Sequence, residues 1–99
     1  MNVRFLAPAR QELAEAADYY NSRREGLGDA FLREVETGVA RIVRLPLAWP
    51  VIRGEIRKYL IRRFPYRILY AVEADDVVIV AVAHLRRDPE YWVDRLGDG

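Results

Sequence analysis

Residues 66–83 read YRILYAVEADDVVIVAVA, and their pattern predicts two consecutive strands of a sheet. In the first half of this stretch, successive side chains alternate in character as they do along a strand. One face of that strand carries Tyr66, Ile68, Tyr70 and Val72. Its second half, residues 77–83, is apolar on both faces, which is typical of a central or covered strand. The intervening Ala74-Asp75-Asp76 predicts a tight hairpin turn.

The N-terminal half is predicted to form a helical hairpin. Pro8 is favoured in the first turn of a helix, and apolar side chains then recur at helical spacing as far as Tyr20. The sequence Gly26-Leu27-Gly28 interrupts this helix, and Asp29 is predicted to cap the next one. That second helix is predicted to end at Pro46.

The remaining segments complete a predicted order of β-α-α-β-β-β-α. Val3–Leu6 predicts an opening strand, and Ile56–Arg63 predicts the strand that precedes the central hairpin. Pro89 is predicted to open a short C-terminal helix. This order indicates one α+β domain over residues 1–99, with the helical hairpin packed on one face of a small, mainly antiparallel sheet.

Composition narrows the possible functions. The chain has 99 residues, of which 52% are apolar, so it can bury a sizeable core, and no apolar run approaches the roughly 18 residues of a membrane span. Residues 1–5 do not resemble a secretory signal. The chain has no cysteine and one histidine, which excludes disulfides and argues against a dedicated metal centre. We therefore expect a cytoplasmic protein that uses no metal, cofactor or membrane.

Charge is distributed unevenly along the chain. Residues 11–36 contain seven acidic and three basic side chains, a net charge of −4, whereas residues 53–67 contain one acidic and six basic side chains, a net charge of +5. Lys58 is the one lysine among 16 basic residues, and the other 15 are arginines, whose planar guanidinium suits phosphate and carboxylate groups. The second half of the chain is therefore predicted to bind a polyanion or an acidic partner segment.

An ordered set of motifs resembles the RelE/ParE superfamily of toxins, which belong to type II toxin–antitoxin, or plasmid-stabilisation, systems. The set comprises FPYRILY at residues 64–70, the acidic turn, the valine-rich strand and HLRRDPEYW at residues 84–92. The aromatic pair Tyr19-Tyr20 and the Gly-Leu-Gly break belong to the same set. The resemblance implies a growth-inhibiting toxin that a cognate antitoxin neutralises.

The resemblance leaves the mode of action open. ParE-like members poison DNA gyrase by binding it, RelE-like members cut mRNA in the ribosome, and a degenerate member would bind its antitoxin without being toxic. For a nuclease, the resemblance implies Arg67 as the phosphate-stabilising residue and Tyr91 as a substrate-holding aromatic. The family's general-acid arginine falls on Leu85, one position from Arg86, and His84 is a side chain suited to proton transfer.

The catalytic set of a nuclease would therefore be Arg67, His84 and Arg86. Because this set reproduces the nuclease pattern only in part, the sequence favours the ParE-like action without chemistry. In either case, the residues predicted to bind substrate or target are Lys58, Arg62, Arg63, Arg87, Tyr91 and Trp92.

Several of these residues also have a purely structural interpretation. Arg67 is a candidate for an ion pair across the sheet with Glu73 or Asp94. For Tyr91 and Trp92, the helical spacing favours a packed terminal lid over a base-stacking surface. On the first helix, a solvated face is predicted to carry Glu12, Glu15 and Asp18.

Overall fold

A computed structural model describes residues 1–96, in which two helices and a five-stranded mixed sheet form an α+β fold. In chain order the elements are β1 (Asn2–Phe5), α1 (Ala7–Arg23), α2 (Leu27–Arg44), β2 (Val51–Arg53), β3 (Ile56–Leu60), β4 (Tyr66–Glu73), β5 (Asp76–His84) and a C-terminal 3₁₀ helix (Val93–Leu96). The predicted class and order are confirmed. The short strand β2 is an addition that the sequence reading missed, and β3 ends three residues before its predicted end.

The strands lie in the order β1-β5-β4-β3-β2, with β1 parallel to β5 and every other neighbouring pair antiparallel. Strand β5 is therefore flanked on both sides, as its apolar sequence predicts. Leu69 pairs with Ala81 and Tyr70 with Ile79, so Val80 is an extra residue in β5. This β-bulge turns Val80 and Ala81 to the same face, where both are buried.

The sheet buries side chains on both faces. The four alternating residues of β4 that begin at Tyr66 pack beneath the helices, which confirms the predicted face. On the opposite face, which we call the outer face, Leu69 and Ala71 belong to a second apolar cluster. Trp92, with 1% of its surface exposed, covers that cluster. The C-terminal segment thus covers the apolar side chains of the outer face, as the two helices cover those of the opposite face.

The turn between the helices depends on two glycines. Gly26 adopts a left-handed φ of 82° and is the N-cap residue of α2. The helix therefore starts two residues before the predicted cap, Asp29. Asp29 lies in the first turn instead, where its negative charge interacts favourably with the helix dipole. Gly28 donates its amide to Asn21 Oδ1 at 2.7 Å, and a Cβ at this position would collide with the carbonyl oxygen of Ala17. The glycine therefore permits the close crossing of the two helices.

The C-terminal helix is present but begins at Val93 rather than at Pro89. Residues 89–92 form turns that bring the chain back across the outer face. The indole Nε1 of Trp92 donates to the carbonyl of Pro89 at 2.7 Å, which satisfies its polar atom while the ring is buried. Over residues 1–96, no helix is both long and apolar enough to cross a membrane.

Candidate functional site

Four predicted site residues lie in two loops at one end of the sheet, and we call them the arginine loop pair: Arg62, Arg63, Arg86 and Arg87. The first loop joins β3 to β4 and the second follows β5. The amide of Leu85 donates to the carbonyl of Pro65 at 2.9 Å, so the two loops are hydrogen-bonded to each other. All four arginines are exposed. The fold therefore assembles a basic surface from two separate parts of the chain.

The first of these loops is held by an aromatic anchor. Phe64 is buried, with its ring centroid 4.9 Å from that of Tyr20 and 5.2 Å from that of Phe31. Arg63 has a left-handed φ of 73°, which costs about 1–2 kcal/mol for a residue with a Cβ. Burial of Phe64 offsets this strain, because the same backbone turn that strains Arg63 directs the phenyl ring into the core. The loop is consequently fixed rather than loose.

Arg67 lies on β4 and points to the outer face, where it lines a cavity of about 270 Å³ beside Trp92. Its Nη2 is 3.5 Å from the carbonyl oxygen of Pro89, and its buried Nε has no hydrogen-bond partner. The predicted ion pair with Glu73 or Asp94 does not form: among residues 1–96, no carboxylate lies within ion-pair distance of Arg67. Glu73 pairs with Arg4 instead. The guanidinium of Arg67 is therefore available to an anion.

Lys58 extends this basic region along the outer face. In the β3–β4 register Lys58 lies opposite Leu69, and Leu60 lies opposite Arg67, so Lys58 and Arg67 share a face. Arg53, on β2, also lines the Arg67 cavity but is paired with Glu90 at 2.9 Å. The fold thus brings together Lys58 and Arg67, the two residues of the outer face that the sequence predicted as site residues.

His84 lies on the other side of the sheet. It pairs with Tyr66 in the β4–β5 register, the two ring centroids are 5.1 Å apart, and both rings line a cavity of about 160 Å³ under α1. Its Nδ1 accepts a hydrogen bond from the amide of Arg86 at 3.0 Å, which fixes the imidazole at the strand end. The fold therefore separates Arg67 and His84 by the thickness of the sheet, with Arg86 in the loop beyond the end of β5.

The two C-terminal aromatic residues differ in their surroundings. Trp92 is a core residue of the outer face, so in this structure its ring does not meet solvent. Tyr91 is half-buried, and the guanidinium of Arg87 stacks 3.6 Å from its ring centroid. Its hydroxyl donates to Glu12 Oε2 at 2.6 Å. The lid interpretation thus describes Trp92, whereas Tyr91 joins the lid to the arginine loop pair.

The prediction of a solvated acidic face on α1 is wrong for Glu12. Its side chain is only 10% exposed, and Arg95 donates to both of its carboxylate oxygens at 2.9 and 2.8 Å. It also accepts the amide of Val82 at 3.0 Å. Strand β1 ends at Phe5, so it leaves this amide of β5 without a strand partner, and Glu12 supplies the acceptor. Glu15 and Asp18 are exposed, as predicted.

The charge on Glu12 is stabilised by its neighbours. Burial by itself would raise the pKa of Glu12, but hydrogen bonds from Arg95, Tyr91 and the Val82 amide outweigh burial and hold the pKa below its ordinary value of 4.5. Burial and the bond to Glu12 raise the pKa of Tyr91 to about 12. Glu12 and its hydrogen-bond partners are therefore a structural tie between α1, β5 and the C-terminal segment.

In the part of the chain that the structure describes, no three His, Cys, Asp or Glu side chains cluster as a metal site.

Solved structures share this architecture. The chain is similar to a chain of the chromosomal ParDE toxin–antitoxin system from P. aeruginosa, with a TM-score of 0.65 and 16% identity over 87% of this chain and 97% of that one. It is also similar to a chain of the toxin–antitoxin complex RelBE2 from Mycobacterium tuberculosis, with a TM-score of 0.56 and 29% identity over 88% of this chain and 92% of that one. A comparison with curated proteins found no match.

The fold and these neighbours define the class: a small α+β domain of a kind found in toxin–antitoxin systems. A family model described as the ParE toxin of type II toxin–antitoxin system, parDE, matches residues 3–89. The chain therefore belongs to this ParE toxin family and is a type II toxin. The resemblance seen in the sequence is confirmed.

Proposed function

We propose that this toxin arrests growth by binding and inhibiting a macromolecular target such as DNA gyrase, and that it catalyses no reaction itself. The observation that carries the proposal is the separation of Arg67 and His84 onto opposite faces of the sheet. Proton transfer coupled to phosphate stabilisation needs both groups within hydrogen-bond reach of one substrate. Two side chains that line different cavities do not meet that requirement.

The binding surface would be the arginine loop pair together with Arg67, Lys58 and Tyr91. Arginine and tyrosine are the residue types that most often dominate binding energy at interfaces. Arg87 stacked on Tyr91 presents a guanidinium and an aromatic ring in one fixed arrangement. The net charge of +5 over residues 53–67 would also accelerate encounter with an acidic target. Trp92 would contribute indirectly, by holding the segment that carries Tyr91.

A cognate antitoxin would neutralise the toxin, and its toxin-binding tail would be acidic and would fold on binding. Membership of the ParE toxin family supports such a partner, since the family is defined by toxin–antitoxin systems. Both structural neighbours come from systems of this kind.

The second candidate is a RelE-like, ribosome-dependent mRNA endonuclease. It is favoured by the cavity that Arg67 lines, because this guanidinium has no carboxylate partner among residues 1–96 and would accept a phosphate there. The acid and base would then have to come from elsewhere than His84. Arg86 at the loop end and the ribosome itself are the remaining sources.

Inducible expression with paired readouts tests the proposal. We expect filamentation and an SOS response while cellular mRNA stays intact. Toxicity should fall in Arg62→Ala/Arg63→Ala and persist in His84→Ala, with Arg10→Ala, an exposed arginine on α1, as the control. Rapid mRNA cleavage that His84→Ala abolishes would contradict the binding mechanism. Unchanged growth on induction of the wild type would identify a degenerate, non-toxic member instead.

A further inference from the structure

We propose that the arginine loop pair binds the phosphate backbone of double-stranded DNA. This inference rests on the proposed inhibition of a target such as DNA gyrase, and it assigns the surface to the nucleic acid rather than to the target protein. Three properties of the loops support it: uncompensated charge, guanidinium groups held in place, and surroundings without exposed rings or an apolar centre.

The arginines of the two loops carry charge that the protein leaves uncompensated. Over residues 1–96, no carboxylate forms an ion pair with Arg62, Arg63 or Arg86. Arg87 is the exception, with a contact of 3.3 Å to Glu12 while its side chain is 53% exposed. Such an exposed contact contributes little, so a stronger anion can replace it. All four guanidinium groups can therefore bind an external anion.

The local charge balance also favours an anionic partner. Residues 61–65 contain two arginines and no acidic side chain, and residues 85–88 contain two arginines and one aspartate, a net charge of +3 for both loops. That aspartate, Asp88, accepts the backbone amide of Glu90 at 2.9 Å. A DNA duplex carries one negative charge per roughly 1.7 Å of its axis, so neighbouring guanidinium groups meet several phosphates at once.

Aromatic rings hold two of the four guanidinium groups in place. Arg87 stacks 3.6 Å from the ring centroid of Tyr91, and Arg63 lies 5.5 Å from that of Phe64. A guanidinium that packs its face against a ring keeps its N–H groups in the ring-parallel plane, where a phosphate can accept two of them. Because these side chains are positioned before the ligand arrives, binding costs little conformational entropy.

The rings near the loops favour a duplex over a single strand. Proteins that bind single strands combine a charged groove with exposed rings on which bases stack. Here Phe64 is buried, and Arg87 lies against Tyr91. The exposed ring of Tyr19, on α1, has Arg23 over it at 5.5 Å. Contact with duplex phosphates needs cations and no free ring.

The same surface fits an acidic protein less well. Protein interfaces have an apolar centre from which charged residues are depleted. In the two loops, Leu85 is the one large aliphatic or aromatic side chain that is exposed, because Ile61 and Phe64 are buried. Four arginines around one leucine therefore suit an anionic polymer better than an apolar protein face.

A first experiment measures binding of a fluorescent duplex of mixed sequence by anisotropy at several salt concentrations. At about −0.9 per phosphate contact, four contacts predict a slope of log K against log salt of about −3.6. The slope should become about −1.8 in Arg62→Ala/Arg63→Ala and about −2.7 in Arg86→Ala. The control Arg10→Ala/Arg33→Ala removes the same charge as the first variant from exposed positions on α1 and α2 and should leave the slope near that of the wild type. Circular dichroism checks that each variant is folded.

Three results of this experiment would overturn the proposal. One is a wild-type slope shallower than about −1, which corresponds to a single phosphate contact. Another is an equal slope in the two double variants. The third is binding of single-stranded RNA or of polyglutamate at least as tight as that of the duplex at the same salt concentration, which would assign the loops to RNA or to an acidic protein.

A second experiment separates this inference from the proposed function. It measures binding of the toxin to gyrase alone and to gyrase that holds a DNA duplex. We expect binding to the gyrase–DNA complex at least about tenfold tighter, with the difference lost in Arg62→Ala/Arg63→Ala. Inhibited supercoiling with equal affinity for both forms would overturn the DNA contact and leave the proposed function intact. Duplex binding with the expected slope but no inhibition would support the DNA contact and contradict gyrase as the target.

Discussion

Replacing Glu12 by alanine tests whether this side chain ties the C-terminal segment to the rest of the fold. The change removes the acceptor for the Val82 amide, for the Tyr91 hydroxyl, for two bonds from Arg95 and for one bond from Arg87 at 3.3 Å. A buried donor left without a partner costs about 1–3 kcal/mol. Arg95 keeps 17% of its side chain exposed and regains some hydration. We therefore expect a loss of about 3 kcal/mol, a large fraction of a typical domain stability.

Urea denaturation followed by circular dichroism measures this loss. Glu15→Ala is the matched control, since Glu15 lies on the same helix, is exposed and accepts one exposed hydrogen bond from Gln11 Nε2. Its cost should stay within about 0.5 kcal/mol. Because the folded pKa of Glu12 lies below 4.5, the contribution of its charge is present above pH 4.5 and is lost as pH falls through the folded pKa. A cost for Glu12→Ala no larger than that for Glu15→Ala, or one that acidification leaves unchanged, would refute the reasoning.

Three further changes follow from the structure. Ala74 has a φ of +52° in the β4–β5 turn, so Ala74→Gly should raise the free energy of unfolding by about 1 kcal/mol, and a decrease in the urea midpoint would contradict this. Gly28→Ala should lower the melting temperature because its Cβ would force the helices apart, with an expected cost of about 2 kcal/mol or more, whereas an unchanged melt would mean that the crossing relaxes freely. Burial raises the pKa of Tyr70 and of Tyr91 to about 12, so the stability that comes from their neutral forms is present below pH 10 and is lost as pH rises towards 12. Urea midpoints measured across that range check the last prediction, and Tyr91→Phe should reduce the alkaline loss.

The central hairpin and the helices were predictable because their signals are local. Alternation in β4, the apolar run of β5 and the glycine break between the helices each depend on neighbouring residues. Strand β2 was missed because three residues beside Pro50 carry too short a pattern, and its pairing with β3 is a property of the sheet. The start of α2 was placed late because Gly26 can take a left-handed φ, which allows a helix to begin without a polar cap.

The candidate site was predictable in its residue types and less so in its arrangement. The density of arginine in residues 53–67 and 86–87 indicated a basic surface, but no local pattern shows that the two loops meet through Leu85 and Pro65. Glu12 was misjudged because it was grouped with the other acids of α1. Its spacing, three residues after Ala9 and four before Ala16, places it beside the buried stripe and was the available signal. Its partner Arg95 is 83 residues away in sequence, so pairing between them is a consequence of the tertiary fold.

The separation of Arg67 from His84 likewise depends on strand register. Adjacent strands place Tyr66 opposite His84 and Arg67 opposite Ala83, which sends the two candidate catalytic side chains to different faces. The sequence interpretation grouped Arg67 with His84 in one catalytic set, because it carried no information on which face each side chain occupies. The pleat of the sheet places the side chains of Arg67 and His84 on opposite faces.

The most direct test of the binding mechanism compares two assays on the same purified toxin. One measures DNA supercoiling by gyrase, and the other measures cleavage of mRNA on programmed ribosomes. The binding mechanism predicts inhibited supercoiling and intact mRNA, with inhibition weakened at least about tenfold in Arg62→Ala/Arg63→Ala and retained in His84→Ala. Unimpaired supercoiling together with mRNA cleavage that depends on Arg67 and His84 would contradict it.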